Sequence, residues 1–237
     1  MLVSVILPTY NERGNILPLI KEIQVGLSQG DYDADIIVVD DNSPDGTGRL
    51  VAEQTAPEGE VRLFVRTEER GLASAIKFGI GQARGEALVV MDTDFNHDPR
   101  MLAQMVSLLQ HYDLVIGSRF VPGGGMDDVL RYRLSLVFNY GVRILLASAV
   151  RDHLSGFFAI RRHRLQVLDC DRIFVGYGDY FTRLIASANR KGFSLIEVPV
   201  FYRLRRQGES KTKFFRTFIQ YSVAAVRLKV DLLKGRW

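Results

Sequence analysis

Four short runs of apolar, largely β-branched residues, at positions 3–7, 36–39, 61–65 and 87–91, alternate with segments of helical length and composition at 15–27, 47–53, 72–83 and 101–111. That alternation limits the possible folds more than any other feature of the chain. The runs are apolar almost throughout rather than at every second residue, the pattern of strands buried on both faces. Such strands pair in parallel through right-handed helical crossovers. The expected class is therefore α/β, a Rossmann-like, mostly parallel central sheet flanked by helices. Further strands are expected at 113–116 and 194–200. With 237 residues, 47% of them hydrophobic, the chain can bury one substantial core.

After about residue 120 the pattern changes. A cluster of glycines, Gly123-Gly124-Gly125, precedes a long amphipathic segment at 130–150. A last helical stretch, 213–234, interleaves Phe214, Phe215, Phe218, Ile219, Val223, Val226 and Val230 with Arg216, Arg227, Lys229 and Lys234. This divides the chain into a main domain, 1–211, and a C-terminal amphipathic helix, 212–237, whose apolar face with flanking cations suits docking on the chain's own core, a second copy in a homodimer, a membrane-protein partner or a membrane surface. No apolar stretch approaches the roughly 20 residues that cross a bilayer; the best, 218–230, contains Arg227 and Lys229. The N-terminus runs straight into a strand with no basic region or cleavage site, so no signal peptide is expected. A single cysteine, Cys170, excludes an internal disulfide and a thiolate pair for zinc. A cytoplasmic protein, peripheral on the cytoplasmic face of a membrane, is the expectation. The net charge of +4 allows an anionic partner, and no nucleic-acid partner is expected.

In open parallel sheets, ligands bind beyond the carboxyl ends of the strands. The polar residues of this chain gather there: Pro8-Thr9-Tyr10-Asn11-Glu12 after the first strand, Asp40-Asp41-Asn42-Ser43 with Asp45-Gly46 after the second, and Asp92-Thr93-Asp94-Phe95-Asn96 after the fourth. A nucleotide diphosphate needs acceptors for base and ribose and a divalent cation for its phosphates. Asp40 or Asp41 suits the first task, with Tyr10 flanking the base. Asp92 and Asp94 supply the hard oxygens that Mg²⁺ or Mn²⁺ prefers, with the Asn96 amide completing the set. Asp98-Pro99 reads instead as a helix cap followed by proline at the first helical position. The dinucleotide-binding G-x-G-x-x-G and the phosphate-loop G-x-x-x-x-G-K-[ST] are both missing, which argues against a dehydrogenase and a P-loop ATPase.

Leu7-Pro8-Thr9-Tyr10-Asn11-Glu12, Val39-Asp40-Asp41-Asn42-Ser43, Asp45-Gly46-Thr47, Arg70-Gly71-Leu72, Asp92-Thr93-Asp94 and Gly117-Ser118-Arg119 together resemble the inverting family 2 glycosyltransferases of GT-A fold. Among these, the dolichol-phosphate (polyprenol-phosphate) mannose synthases are most similar, over residues 3–211. The resemblance implies a donor nucleotide site of Pro8, Tyr10, Glu12, Asp40, Asp41, Arg70 and Asp92. It implies metal ligation by Asp92, Asp94 and Asn96. It also implies an acceptor phosphate site of Arg119, Arg131, Ser135, Asn139, Arg205 and Lys211, with Asp94, Arg119, Arg131 and Arg205 catalytic. Arg131, Ser135 and Asn139 are spaced to share one helix face, and guanidinium groups suit phosphate oxygens. Where mannose synthases usually continue Gly176-Tyr177 with an aromatic residue and a glutamate, this chain reads Gly178-Asp179-Tyr180.

The implied reaction moves a hexose from a nucleotide diphosphate sugar, GDP-mannose or UDP-glucose, to a polyprenyl (dolichyl or undecaprenyl) phosphate with inversion. A phosphate acceptor is already anionic near neutral pH and needs no general base. A sugar hydroxyl or protein acceptor needs one, for which Asp127, Asp128, Asp152 and Asp179 are the candidates. The alternatives are therefore a glycosyltransferase of the same fold with such an acceptor, and a noncatalytic nucleotide-sugar-binding or membrane-scaffolding protein.

Overall fold

The computed structural model of the chain describes residues 1–54, 59–203 and 214–237, with the backbone alone at 214–216. Strands β1 (Leu2–Thr9), β2 (Asp33–Asp40), β3 (Val61–Val65) and β4 (Ala87–Val90) alternate with helices α1 (Ile16–Ser28), α2 (Thr47–Gln54), α3 (Leu72–Gln82) and α4 (Leu102–Leu108). The expected alternation is present, with ends displaced by up to three residues. The chain continues through β5 (Leu114–Ser118), β6 (Gly125–Met126), α5 (Val129–Leu146), β7 (Phe158–Arg161), α6 (Arg162–Leu165), α7 (Cys170–Ile173), α8 (Tyr180–Arg190), β8 (Leu195–Pro199), β9 (Phe201–Tyr202) and α9 (Phe214–Leu233).

The main sheet has the order β3-β2-β1-β4-β7-β5-β8. All its neighbours pair in parallel except β7, which runs antiparallel to both β4 and β5. The sequence reading did not include β7 or α8. Strand β7 follows Gly156 as the apolar run Phe157-Phe158-Ala159-Ile160, a signal of the same kind as the strands that were read. A two-stranded parallel pair, β6 with β9, lies outside the main sheet.

Both faces of the sheet are buried, as the largely apolar runs require. Val5 and Leu7 join the core beneath α1 and α4, with Ile16, Leu19, Ile23, Leu102 and Met105. Ile6, Ile37 and Val39 face the other way, into a core shared with Ile76 of α3 and with Phe181, Leu184 and Ile185 of α8. Asp98 accepts from the Arg100 N–H, and Pro99 opens a short 3-10 turn before α4, so the predicted cap is present.

One buried polar network stands at the amino ends of the strands. Asp35 receives Arg62 Nε at 2.9 Å and the Arg84 N–H at 3.1 Å, with the Ser4 hydroxyl on its other side. These groups tie β1, β2, β3 and the end of α3 together, far from the loops considered next.

Candidate functional site

The carboxyl ends of β1, β2, β4 and β5 open on a cavity of about 580 Å³. Its floor begins with the loop after β1, which is stitched to the loop after β2. The N–H groups of Asn11, Glu12 and Arg13 donate to Ser43 Oγ, Thr47 Oγ1 and Asp45 Oδ2 at 2.9, 3.0 and 3.1 Å. Asn11 and Asn42 hold left-handed φ values of 56° and 54°, a region that asparagine tolerates better than most side chains. Pro8, Tyr10 and Glu12 line the cavity, and the Glu12 carboxylate accepts from Asn15 Nδ2 at 2.7 Å. The Arg70 guanidinium lies 5.3 Å from the Tyr10 ring centre, forming a lip.

The two adjacent aspartates after β2 have different surroundings. Asp41 lines the cavity; its Oδ1 accepts from Arg66 Nε at 2.7 Å and its Oδ2 from the Gly71 N–H at 2.8 Å. Arg66, which sequence reasoning missed, is buried and also reaches Ser74 Oγ at 3.1 Å. This ion pair fixes the Arg70-Gly71 turn against β2. Asp40 is only 2% exposed and is not part of the cavity lining. Its carboxylate accepts from the Ser43 backbone N–H and hydroxyl. Asp40 therefore shapes the loop from below, while Asp41 is the one of the pair that the cavity meets.

Asp92, Asp94 and Asn96 all face the cavity. Asp94 is buried and accepts from the Asn96 N–H at 3.1 Å and from Asn96 Nδ2 at 2.8 Å. Phe95 between them has φ 64°, so the turn is tight. Beneath the loop, buried His97 accepts the Asp92 N–H on Nδ1 at 2.8 Å and stacks on Phe157 with ring centres 4.7 Å apart. Among the described residues no group of three or more His, Cys, Asp or Glu side chains converges as a metal cage. The donor set of two carboxylates and an amide fits a hard divalent cation whose remaining positions are completed by phosphate oxygens and water.

The opposite wall is basic. Arg119, 4% exposed, lies at the end of β5 and lines the cavity. It is held by buried Asp152 through Nε at 2.8 Å and Nη2 at 2.7 Å. Arg131, Ser135 and Phe138 project into the cavity from one face of α5, and Thr217, Phe218 and Tyr221 from α9. The two helices pack through Phe138 and Phe218, with ring centres 5.1 Å apart. Asn139, also on α5, is not part of the cavity lining. It is 1% exposed, donates to the Ser135 carbonyl at 2.8 Å and accepts the His153 N–H at 2.7 Å. It thereby pins α5 to the segment that carries Asp152 and Ser155. Arg205 and Lys211 lie outside the described residues.

The Gly178-Asp179 departure has a local explanation. The Gly178 N–H donates to the Tyr221 hydroxyl of α9 at 3.0 Å, and a Cβ at 178 would come within 2.3 Å of that oxygen. Asp179 pairs with Arg183 at 2.6 Å and is not part of the cavity lining. Asp128 accepts from the Arg131 N–H as the cap of α5, Asp152 is held by Arg119, and Asp127 is exposed outside the lining. Among the described residues, none of the four candidate bases faces the cavity.

His153 points elsewhere. Fully buried, with neither ring nitrogen bonded to protein, it lines a second cavity of about 280 Å³. Burial pushes its pKa down to about 4. The unfolded chain therefore binds this proton below about pH 6.5 while the folded chain stays neutral until about 4. Stability is expected to fall as pH drops through that window, by up to about 1.4 kcal/mol per unit from this group. Urea midpoints of wild type and His153→Leu between pH 7 and 4.5 check this: the variant should have the shallower slope.

Residues 4–168 match the profile of glycosyl transferase family 2. The chain is 36% identical over 227 residues to dolichol-phosphate mannosyltransferase of Pyrococcus furiosus, a match that covers 93% of this chain and 62% of that protein. It thus spans less than two thirds of that relative's length. It is also 36% identical over 217 residues to undecaprenyl-phosphate mannosyltransferase of Micrococcus luteus, covering 89% of this chain and 87% of that one. Among solved structures, mannosyl-3-phosphoglycerate synthase of Rubrobacter xylanophilus superposes with a TM-score of 0.73 at 20% identity, covering 99% of this chain and 75% of that one. Glucosyl-3-phosphoglycerate synthase of Mycobacterium tuberculosis, in complex with Mn²⁺, uridine diphosphate and phosphoglyceric acid, superposes with a TM-score of 0.71 at 22% identity, covering 94% and 78%. These two likenesses show the fold.

Proposed function

Because the chain belongs to glycosyl transferase family 2, and its cavity sets carboxylates against guanidinium groups, we propose that it transfers mannose from a nucleotide diphosphate, GDP in preference to UDP, to a polyprenyl phosphate with inversion at the sugar carbon. The relatives named above act on dolichol phosphate and undecaprenyl phosphate. The observation that carries the reading is the composition of the cavity. Its described carboxylates, Glu12, Asp41, Asp92 and Asp94, all belong to the three loops after β1, β2 and β4, and its far wall carries Arg119 and Arg131.

In this reading Pro8, Tyr10, Glu12, Asp41 and Arg70 hold the nucleoside. Asp92, Asp94 and Asn96 hold Mg²⁺ or Mn²⁺, which when bound offsets the charge of the departing diphosphate. Arg131 and Ser135 receive the acceptor phosphate, and Arg119 supplies a fixed positive field between the two substrates. Arg205 and Lys211 are proposed to add to the acceptor side. An acceptor already ionised needs no proton removed, which agrees with the described far wall, whose charged residues are Arg119 and Arg131. The hydroxyl-acceptor alternative lacks that support.

The acceptor's tail also has a course to follow. Beyond the cavity, α5 exposes Leu134, Val137 and Ile144, and α9 exposes Ile219, Val223 and Val226. A patch of this kind, with Arg227 and Lys229 beside it, suits the cytoplasmic face of an anionic membrane. No described helix is long and apolar enough to cross one.

The test is direct transfer. Purified chain with undecaprenyl phosphate or dolichyl phosphate in vesicles, Mn²⁺ and labelled GDP-mannose is expected to give a lipid-extractable product that mild acid cleaves. No such product with GDP-mannose or UDP-glucose, under conditions where the nucleotide binds, would refute the proposal.

A further inference from the structure

His97 is buried without facing the cavity, and its two ring nitrogens are committed in opposite directions. The Asp92 N–H donates to Nδ1 at 2.8 Å, so in the neutral ring the proton sits on Nε2. Nε2 lies 2.7 Å from the Tyr202 hydroxyl, and that hydroxyl donates to the Ser155 carbonyl at 2.8 Å. The Tyr202 hydroxyl also lies 3.3 Å from Ser155 Oγ; with Nδ1 accepting, the series runs from Asp92 through His97 and Tyr202 to Ser155. The Tyr202 ring also carries the Arg119 guanidinium, 4.7 Å from its centre. Tyr202 is therefore the point where the segment of the two candidate metal carboxylates, the arginine of the opposite wall and the 155–156 turn of the cavity meet.

Resting on the function proposed above, we infer that His97 and Tyr202 are positioning residues that set the Asp92–Asp94 segment at a fixed distance from Arg119, so that cation affinity depends on a hydroxyl that is not itself a ligand. The physical reason is the lack of slack. His97 is stacked on Phe157 and fully buried, so it cannot turn to replace a lost partner with water. Removing the hydroxyl takes from Nε2–H its 2.7 Å partner in a dry site, and the ring shifts towards its remaining polar neighbours, carrying the Asp92 backbone with it. Outer partners of metal-holding groups commonly change affinity by about 10- to 100-fold.

The experiment measures Mn²⁺ binding to the intact chain without turnover, by electron paramagnetic resonance of free Mn²⁺ in the presence of GDP, and then of UDP. Tyr202→Phe keeps the ring over Arg119 and removes only the hydroxyl. His97→Asn keeps a group able to accept the Asp92 N–H but cannot reach Tyr202. Each is expected to weaken Mn²⁺ binding about tenfold, and the double variant to be no weaker than the weaker single, since both break one link. His97→Gln, whose amide can reach Tyr202 but not serve Asp92 in the same way, should fail to restore binding. Folded Tyr202→Phe with Mn²⁺ affinity within twofold of wild type overturns the inference even if His97→Asn does not fold, and so do additive losses in the double variant. Wild-type chain that binds no Mn²⁺ with either nucleotide overturns the metal assignment of the proposed function, and this inference with it, whereas the transfer assay alone decides the sugar-transfer reading.

Discussion

Asp94→Asn is expected to lower transfer on the order of a thousandfold, equivalent to about 4 kcal/mol of transition-state stabilisation. The substitution keeps the volume of the side chain and removes its charge. Asp94 is 4% exposed, and in this structure its carboxylate holds both nitrogens of Asn96. The loop therefore retains an acceptor at the same place, and the thermal midpoint should move little. Activity at saturating donor, measured beside a melting curve, separates the two effects. If the variant keeps more than a tenth of wild-type turnover, Asp94 does not hold the cation. Asp92, whose side chain is 43% exposed, is the more accessible of the two carboxylates.

The second large effect is on stability. Asp152→Ala leaves the Arg119 guanidinium buried without its partner, and loss of one member of such a pair costs about 3–5 kcal/mol. Asp152 is fully buried and holds Arg119 through two charge-assisted bonds. A denaturant midpoint should fall accordingly, while replacing both residues with apolar ones of similar size should recover most of the loss. The double variant should stay inactive. If it transfers sugar at the wild-type rate, the ion pair is part of the scaffold and not of the chemistry.

The donor half of the molecule was readable because its signals are local. Each strand from β1 to β4 is an apolar run, interrupted only by Ser4 in β1, Arg62 in β3 and the ends of β1 and β2, and each of the three acidic loops follows its strand directly in sequence. Topology then does the rest, since parallel strands deliver those loops to one edge. What could not be read depended on contacts between distant residues. Asp40 and Asp41 are neighbours of identical chemistry, and only Arg66, 25 positions further on, decides that Asp41 faces the cavity while Asp40 holds the turn. Asn139 shares a helix face with Arg131 and Ser135, as its spacing predicted, but it is one turn deeper, where the His153 backbone meets it. Strand β7 was missed because the crossover logic anticipates parallel neighbours and gives no reason to look for a reversed strand inserted between β4 and β5. Gly178 is intelligible only once Tyr221, 43 residues later, is seen to need the space.

The seam between α5 and α9 bears on what the proposed enzyme can measure. Phe138 and Phe218, which meet edge to face, both line the cavity, and the same two helices expose Val137, Ile144, Ile219 and Val223. In the proposed function, a lipid whose phosphate sits beside Arg131 and Ser135 runs its tail over these exposed side chains. Such a site has no ruler. It grips a head and a few carbons behind it, and any further isoprene units belong to the bilayer, so dolichyl and undecaprenyl phosphates should look the same to it.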